Sequence, residues 1–176
     1  MTQAQTYYID GYNLIHFSDS LRRLMDTDFE IARDKLVDQI IRWCVSSGNR
    51  AKVIFDGQGK RLEQSHNHPA TNLVEVLFTS KHKTADSIIE RAVYQSKHKN
   101  KVIVISADRA ITDLCMGMGA LTMNPQHFLT SISEAQSETQ RVIQKTNKQH
   151  MGSMEDRIDA TTLERLQKMR EGLDPH

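Results

Sequence analysis

The chain has 176 residues, of which 38% are hydrophobic and 26% are charged, and its formal net charge is +1. This length supports one good hydrophobic core and is too short for two ordinary domains. The balanced charge excludes a protein-wide basic field that would attract nucleic acid.

No apolar run approaches the roughly 18 residues that cross a bilayer, and the N-terminal MTQAQT lacks the pattern of a signal peptide. We therefore expect no membrane contact and a cytoplasmic location. The two cysteines, Cys44 and Cys115, are not spaced as a CxxC motif and are expected to be buried free thiols in a reducing compartment.

Strand-like and helix-like segments alternate over about the first 130 residues, as in a series of βαβ units. The first, second and fourth strand segments are continuously apolar, which indicates a parallel sheet covered by helices on both faces. The third carries Glu75 at its centre and is expected at an edge. The five predicted strands are Thr6–Ile9, Ala51–Phe55, Leu73–Phe78, Lys101–Ser106 and Ala120–Met123.

Three helices are predicted among these strands. The clearest covers about Asp28–Ser47, where apolar residues recur at three- and four-residue steps. Thr27 and Glu30 form a capping-box pattern at its start, and Gly48 marks its end. The other two helices precede the fourth and fifth strands, at about Thr84–Ser96 and Ala110–Met118.

The composition becomes polar after about Ser133, with few large apolar side chains. This change divides the chain into an α/β domain at 1–132 and a polar, partly helical tail at 133–176. The first part of the tail fits a polar helix or a linker. A narrow apolar stripe predicts a helix near 161–173, which would dock on the domain or on a partner.

Acidic residues follow the predicted strands at one common end. Asp10 follows the first strand, Asp56 the second and Asp108 the fourth, while Asp86 opens the helix after the third. Ligands bind to open α/β sheets in the crevice beyond the carboxyl ends of the strands. We therefore expect these acids to converge on one pocket.

Converging carboxylates raise one another's pKa unless a cation relieves their repulsion. Oxygen ligands of this kind select Mg²⁺ or Mn²⁺, which are bound through a few carboxylates together with water and substrate phosphate. Such a metal activates water beside a phosphodiester, so phosphodiester hydrolysis is the reaction that follows most directly. Glu90 lies one helical turn after Asp86 and is either a helper ligand or a solvated helix acid.

Basic residues are frequent in the sequence around the helix that carries Asp86, and we expect them to form a cationic rim for a polyanion. Arg109 adjoins Asp108 and is a further candidate for a phosphate contact. The residues of this expected rim are Lys60, Arg61, Lys81, His82, Lys83, Arg91, Lys97, His98, Lys99 and Lys101.

The chain resembles the NYN-domain ribonucleases of the YacP type, relatives of the PIN-domain nucleases, in the stretches YIDGYNLIH, VIFDGQG, FTSKHKTADSIIERAV and VIVISADRAITDLCMGMGALTMNPQHFL. The similarity covers about Tyr7–Ile132. It implies a three-layer PIN-like α/β domain with a parallel sheet in strand order 3-2-1-4-5. It also implies a divalent-metal site and endoribonuclease activity on single-stranded RNA.

The resemblance assigns roles to residues of the matching motifs. It implies that the catalytic residues are Asp10, Asn13, Asp86 and Asp108, and that the metal is held by Asp10, Asp86 and Asp108, with Asp56 and Glu90 as further ligands. Ser87 stands where many PIN relatives have another acid, so the number of metal ions stays open. RNA contacts are expected from Lys60, Arg61, Lys81, Lys83 and Arg109, and a protein or ribonucleoprotein contact from the tail.

Structural roles are open for the same residues. Asp10 and Asn13 fit a turn and a helix cap, Asp56 fits a plain Asp-Gly turn, and Asp108 fits the cap of the next helix. Two other functions also stay open beside the nuclease. One is a non-catalytic RNA- or protein-binding module, and the other is a small phosphatase or phosphotransfer domain.

Overall fold

The computed structural model describes residues 4–57, 64–67, 72–79 and 84–155. In these ranges one sheet contains six strands, namely β1 (Thr6–Asp10), β2 (Arg50–Phe55), β3 (Gln64–Asn67), β4 (Val74–Phe78), β5 (Val102–Ile105) and β6 (Leu121–Met123). The spatial order is β3-β4-β2-β1-β5-β6. The five parallel strands have the predicted order 3-2-1-4-5, which confirms that expectation, and β3 adds an unpredicted antiparallel strand beside β4.

The same ranges contain six α-helices, namely α1 (Gly11–Phe17), α2 (Asp19–Thr27), α3 (Phe29–Ser47), α4 (Ala85–Gln95), α5 (Arg109–Gly117) and α6 (Pro125–Glu155). Helices α3, α4 and α5 agree with the predicted ones to within two residues at each end. Helices α1 and α2 were not predicted, because the segment between the first strand and Asp28 lacks a long apolar period. The polar segment after Ser133 is helical, which selects one of the two predicted alternatives.

The cap of α3 differs from the prediction. The carboxylate of Asp28 accepts the backbone N–H groups of Glu30 and Ile31, both at 3.0 Å. Thr27 is instead the last residue of α2, so the capping box predicted at Thr27 is wrong. Gly48 ends α3 as predicted, with a φ of 71° that favours glycine.

Two apolar layers lie on opposite faces of the sheet. On one face, helices α1, α2 and α3 and the start of α6 bury side chains such as Leu36 and Phe128. On the other face, α4 and α5 bury side chains that include Ile89 and Cys115. Cys44 and Cys115 are both buried free thiols, as predicted. The result is the expected three-layer α/β architecture.

The sequence predicted an edge position for the strand that carries Glu75, which is β4. It is the outermost parallel strand, but the antiparallel β3 forms the edge of the sheet beyond it. The Glu75 carboxylate lies 2.8 Å from the Lys52 ammonium on β2, and β3 covers the outer side of β4.

Among the residues that the structure describes, no helix is both long enough and apolar enough to cross a membrane.

The chain divides into two compact units, Met1–Gln136 and Ser137–His176. In the first unit, the beginning of α6 packs against the sheet through Phe128, whose ring centroid lies 5.7 Å from that of Tyr7 on β1. The boundary predicted after Ile132 falls inside α6. The helix predicted near 161–173 lies outside the described residues.

Candidate active site

The predicted acids lie at the carboxyl ends of the parallel strands. Asp10 is the last residue of β1 and Asp56 directly follows β2. Asp86 is the second residue of α4, and Asp108 precedes α5. Two of these acids are also helix caps, since Asp10 accepts the N–H of Asn13 at 3.0 Å and Asp108 accepts an N–H of α5 at 2.8 Å.

Electrostatic interactions show that these carboxylates lie near one another. Burial raises the pKa of Asp10, and so do the negative charges of Asp56 and Asp86, while the N–H groups of Asn13 and Tyr12 lower it. Burial likewise raises the pKa of Asp86, to which the charges of Asp108 and Asp56 add. The acids predicted to converge are therefore within electrostatic reach of one another. Asp10 and Asp108 act as helix caps and still lie at the edge of the sheet that the four acids share.

Asp56 fixes the start of α4 to the end of β2. Its Oδ1 accepts the backbone N–H of Ala85 at 2.6 Å and the hydroxyl of Thr79 at 3.3 Å. The Thr79 hydroxyl in turn accepts the N–H of Gly57 at 2.9 Å. Because Ala85 immediately precedes Asp86, this network determines where the Asp86 carboxylate stands.

Thr79 was missed by the sequence prediction. Its side chain is buried, and it directly follows β4 just as Asp56 follows β2. This position after a strand was the signal that could have identified it.

Asn13 connects two segments that carry acids. Its side-chain Oδ1 accepts the backbone N–H of Ala107 at 3.2 Å, across 94 residues of sequence. The next residue, Asp108, donates its N–H to the hydroxyl of Ser106 at 3.1 Å. Asn13 thus holds the loop with Asp108 beside the helix that Asp10 caps.

Gly11 allows α1 to start against β2. A Cβ atom at this position would overlap the ring of Phe55. That ring also packs against Tyr12, with the two centroids 5.1 Å apart. The glycine in the DGYN motif is therefore required by the close approach of a core ring, next to the residue that carries the first acid.

Glu90 lies on the same side of α4 as Asp86. Burial raises the pKa of the Cys115 thiol on α5, and the charges of Glu90 and Asp86 raise it further. Glu90 is exposed, so it stands at the rim between α4 and α5.

The basic residues do not all surround the acids. At about 1.5 Å per residue, the 11 residues of α4 extend roughly 16 Å away from Asp86. The cluster Lys97, His98, Lys99 and Lys101 follows the far end of this helix, where the strands begin. Its predicted place in a rim around the acids is wrong, because the helix between them separates the two groups.

Arg109 does lie at the acidic edge, as the exposed first residue of α5. Four other predicted RNA contacts lie outside the described residues, namely Lys60, Arg61, Lys81 and Lys83. Their assignment stays a prediction.

The donor set fits a hydrated hard cation. Within the side chains that the structure describes, no three carboxylate, imidazole or thiol groups stand close enough to hold one metal ion. Mg²⁺ and Mn²⁺ do not need such a closed cage, because they keep water and take substrate phosphate as ligands. Asp10 and Asp86, whose pKa values are raised by burial and by neighbouring acids, are the carboxylates whose charge such a cation would relieve.

The strand order, the three layers and the acids at one edge define an α/β domain with a nuclease-type fold. The model of the YacP-like NYN domain matches residues 7–171, and the chain belongs to this family. The YacP protein of Bacillus subtilis (strain 168) is 28% identical over 167 residues, which cover 93% of this chain and 95% of that protein.

Two crystal structures of Rae1 (YacP) from Bacillus subtilis are similar to this chain. One has a TM-score of 0.68 at 26% identity and covers 97% of this chain and 96% of its own. The other, a mutant form, has a TM-score of 0.67 at 27% identity and covers 81% and 82%. These matches confirm the resemblance to the YacP type and the fold that it implied.

Proposed function

We propose that this protein is an endoribonuclease that hydrolyses phosphodiester bonds of single-stranded RNA and requires Mg²⁺ or Mn²⁺. The observation that carries the proposal is the convergence of Asp10, Asp56, Asp86 and Asp108 on one edge of the sheet. Gathering like charges in a partly buried place costs stability, which a purely structural role does not require. Membership in a family with a nuclease-type fold supports the same reaction.

The residues divide into two groups by their contacts. We assign Asp10 and Asp86, with Asp108 beside them, to metal and substrate binding. When bound, a divalent cation supplies activation of water and neutralises charge on the phosphate. In this hydrolysis the oxygen of water bonds to phosphorus, and the bond between phosphorus and one ribose oxygen breaks. One product then ends in a phosphate monoester and the other in a hydroxyl group.

Asn13 and Asp56 belong to the second group, which positions the first. The side-chain oxygen of Asn13 accepts the backbone N–H of Ala107, and one carboxylate oxygen of Asp56 accepts the backbone N–H of Ala85. Asp56 still contributes negative charge to Asp10 and Asp86, so its second role is electrostatic. Glu90, at the rim, would act on bound water instead of on the RNA.

The decisive test compares Asp86→Asn with the wild type on labelled single-stranded RNA, with Mn²⁺ and with EDTA. We expect the variant to cleave at least about 100-fold more slowly, because it loses a charge that binds the cation. Asp113→Asn removes an exposed acid of α5 and serves as the matched control, with wild-type rates expected. Equal cleavage by wild type and Asp86→Asn would overturn the proposal.

A non-catalytic RNA-binding module is the second candidate. The observation that favours it is that Asp10 and Asp108 both accept the N–H groups of helix starts, a role that needs no metal. This candidate requires RNA binding without turnover, even with Mn²⁺. A rise of the melting temperature with Mn²⁺ that is lost in Asp86→Asn would count against it, and a small phosphatase would instead hydrolyse p-nitrophenyl phosphate and ignore RNA.

We also propose that the second unit contacts a protein or ribonucleoprotein partner. Val142 and Ile143 on α6 are both more than half exposed, in an otherwise polar stretch of this helix. Replacing both by serine should leave cleavage of a short free RNA unchanged and weaken co-purification with the partner.

A further inference from the structure

The side chain of Arg33 lies on an aromatic surface at the acidic edge. Its guanidinium carbon is 5.3 Å from the ring centroid of Phe78, the last residue of β4, and 5.5 Å from that of Phe29, the first residue of α3. Both residues stand at the end of the sheet where Asp10 ends β1 and Asp56 follows β2. Arg33 is thus directed to the same edge as the acids, on the face covered by α1 and α3.

Tyr12 connects this arginine to the acidic site. The Tyr12 ring packs against the rings of Phe29 and Phe55, with centroid distances of 5.1 Å to each. Phe29 is one of the two rings under the Arg33 guanidinium, and Phe55 immediately precedes the acid Asp56. Tyr12 also lies in the DGYN motif, between the acid Asp10 and the positioning residue Asn13.

The charge of Arg33 is only weakly neutralised by its ion-pair partner. Glu30 approaches the guanidinium at 3.5 Å, but its side chain is 84% exposed, while that of Arg33 is 21% exposed. An ion pair with a carboxylate in water contributes little, because solvent and salt screen it. The Arg33 side chain is partly exposed, so its charge is available to an anion.

We infer that Arg33 binds a phosphate group of the RNA strand next to the phosphodiester held at Asp10 and Asp86. This inference rests on the proposed nuclease function. A guanidinium presents a planar set of donors that matches two phosphate oxygens. The rings of Phe29 and Phe78 hold the guanidinium in place before RNA arrives, which reduces the entropy lost on binding.

A purely structural role makes a different prediction. If Arg33 only covers the two rings with its aliphatic stem, its loss lowers stability and leaves RNA binding unchanged. A phosphate contact instead contributes to the salt dependence of binding. For a single strand, each contact adds about 0.7 to the slope of log affinity against log salt concentration.

The experiment measures kcat and KM on labelled single-stranded RNA with Mn²⁺ at several salt concentrations, together with the melting temperature. For Arg33→Gln we expect KM to rise about 10-fold with kcat changed less than about 3-fold, since the contact is made in the ground state as well. The salt slope of kcat/KM should fall by about 0.7. Arg33→Lys should keep the slope and recover part of the affinity, because lysine keeps the charge without the planar donors.

Arg42→Gln is the matched control, because Arg42 is an exposed arginine of the same helix. It should leave KM and the salt slope unchanged. Unchanged KM and slope in Arg33→Gln, or a lower melting temperature alone, would overturn the inference while wild-type cleavage leaves the nuclease proposal standing. Cleavage that persists in Asp86→Asn, or is missing in the wild type, would overturn both.

Discussion

The two ends of the sheet carry opposite kinds of side chain. At the carboxyl ends of the strands stand Asp10 and Asp86, with burial and neighbouring acids raising the pKa of each. At the other end stand Lys99 and Lys101, and Lys99 lies 5.9 Å from the ring of the exposed Tyr94. In the sequence Asp86 and the two lysines belong to one charged stretch, but α4 places them at opposite ends of the sheet. Nearness along the chain therefore does not make a common site.

The largest expected difference between the two ends is in catalysis. Asp10→Asn should slow Mn²⁺-dependent cleavage of single-stranded RNA at least about 100-fold, because it removes a charge that binds the cation. Asparagine is as good a helix cap as aspartate, so α1 should still form. The rate constant for cleavage of labelled RNA is the measurement.

The control for this prediction is the triple change Lys97→Gln, Lys99→Gln and Lys101→Gln at the opposite end. We expect less than about a 3-fold change in kcat/KM at physiological salt, because α4 separates these lysines from the acids by more than a Debye length of about 8 Å. A loss as large as that of Asp10→Asn would show that the RNA path extends to both ends of the sheet.

The two ends of the sheet should also differ in how a glycine-to-alanine change affects stability. Gly11→Ala at the acidic end should destabilise the protein by about 1–3 kcal/mol, because the new Cβ overlaps the ring of Phe55. Gly117, the last residue of α5, stands at the opposite end with open space around its Cα. Gly117→Ala should be neutral or stabilising by up to about 1 kcal/mol. Urea unfolding of both variants tests the contrast.

If Gly11→Ala proved as stable as the wild type, the close approach of α1 to β2 would not be required. Reduced cleavage without reduced stability would instead mean that the change acts only on the position of Asp10.

Two asparagines provide a smaller contrast. Asn13 accepts the N–H of Ala107 at 3.2 Å at the acidic end, and Asn49 accepts the N–H of Gln5 at 3.0 Å at the other end. Either change to alanine should cost about 1 kcal/mol of stability, through loss of one hydrogen bond. Asn13→Ala alone should also lower kcat about 10-fold, because the loop with Asp108 is no longer held.

Thermal unfolding and single-turnover cleavage of both asparagine variants are the measurements. Equal loss of kcat in Asn49→Ala would assign the effect to general destabilisation. Full activity in Asn13→Ala would remove Asn13 from the positioning group.

The sequence predicted the strands and the convergence of the acids for a simple physical reason. Continuously apolar segments such as those ending at Ile9 and Phe55 are buried on both faces, and parallel strands bring their following residues to one edge. The possible cap role of Asp108 was also identified correctly from its position before a helix. These features depend on neighbours within a few residues or on sheet topology, which the alternation of elements determines.

Contacts that join distant segments could not be predicted in this way. The hydrogen bond from Ala107 to Asn13 and the network of Thr79 with Asp56 depend on the exact packing of loops. Strand β3 has the polar sequence QSHN, which carries no apolar alternation. The location of Arg33 on two rings was hidden because only one of them, Phe29, is its neighbour in sequence.

The smallest expected effect concerns the pH dependence of stability. It compares Asp10, which lies among other acids, with Glu75, which has a lysine partner. The folded protein holds the Asp10 proton more tightly than the unfolded chain, whose pKa is near the usual 3.8. Stability therefore falls as pH rises from about 3.8 through the raised pKa, and the loss is complete above it. Without metal, Asp10→Asn should then be more stable than the wild type at neutral pH, and this difference should disappear as pH falls below 3.8.

Glu75→Gln is the counterpart, because Glu75 faces the ammonium of Lys52 at 2.8 Å. This change should lower stability by about 0.5–1 kcal/mol at neutral pH, since a partly exposed ion pair is lost. Mn²⁺ should reverse the advantage of Asp10→Asn, because it stabilises only a site that still has both carboxylates. Unfolding curves at pH 3.5 and 7.5, with and without Mn²⁺, measure all these differences. An Asp10→Asn protein that is less stable than metal-free wild type at pH 7.5 would show that the Asp10 charge is already compensated within the protein.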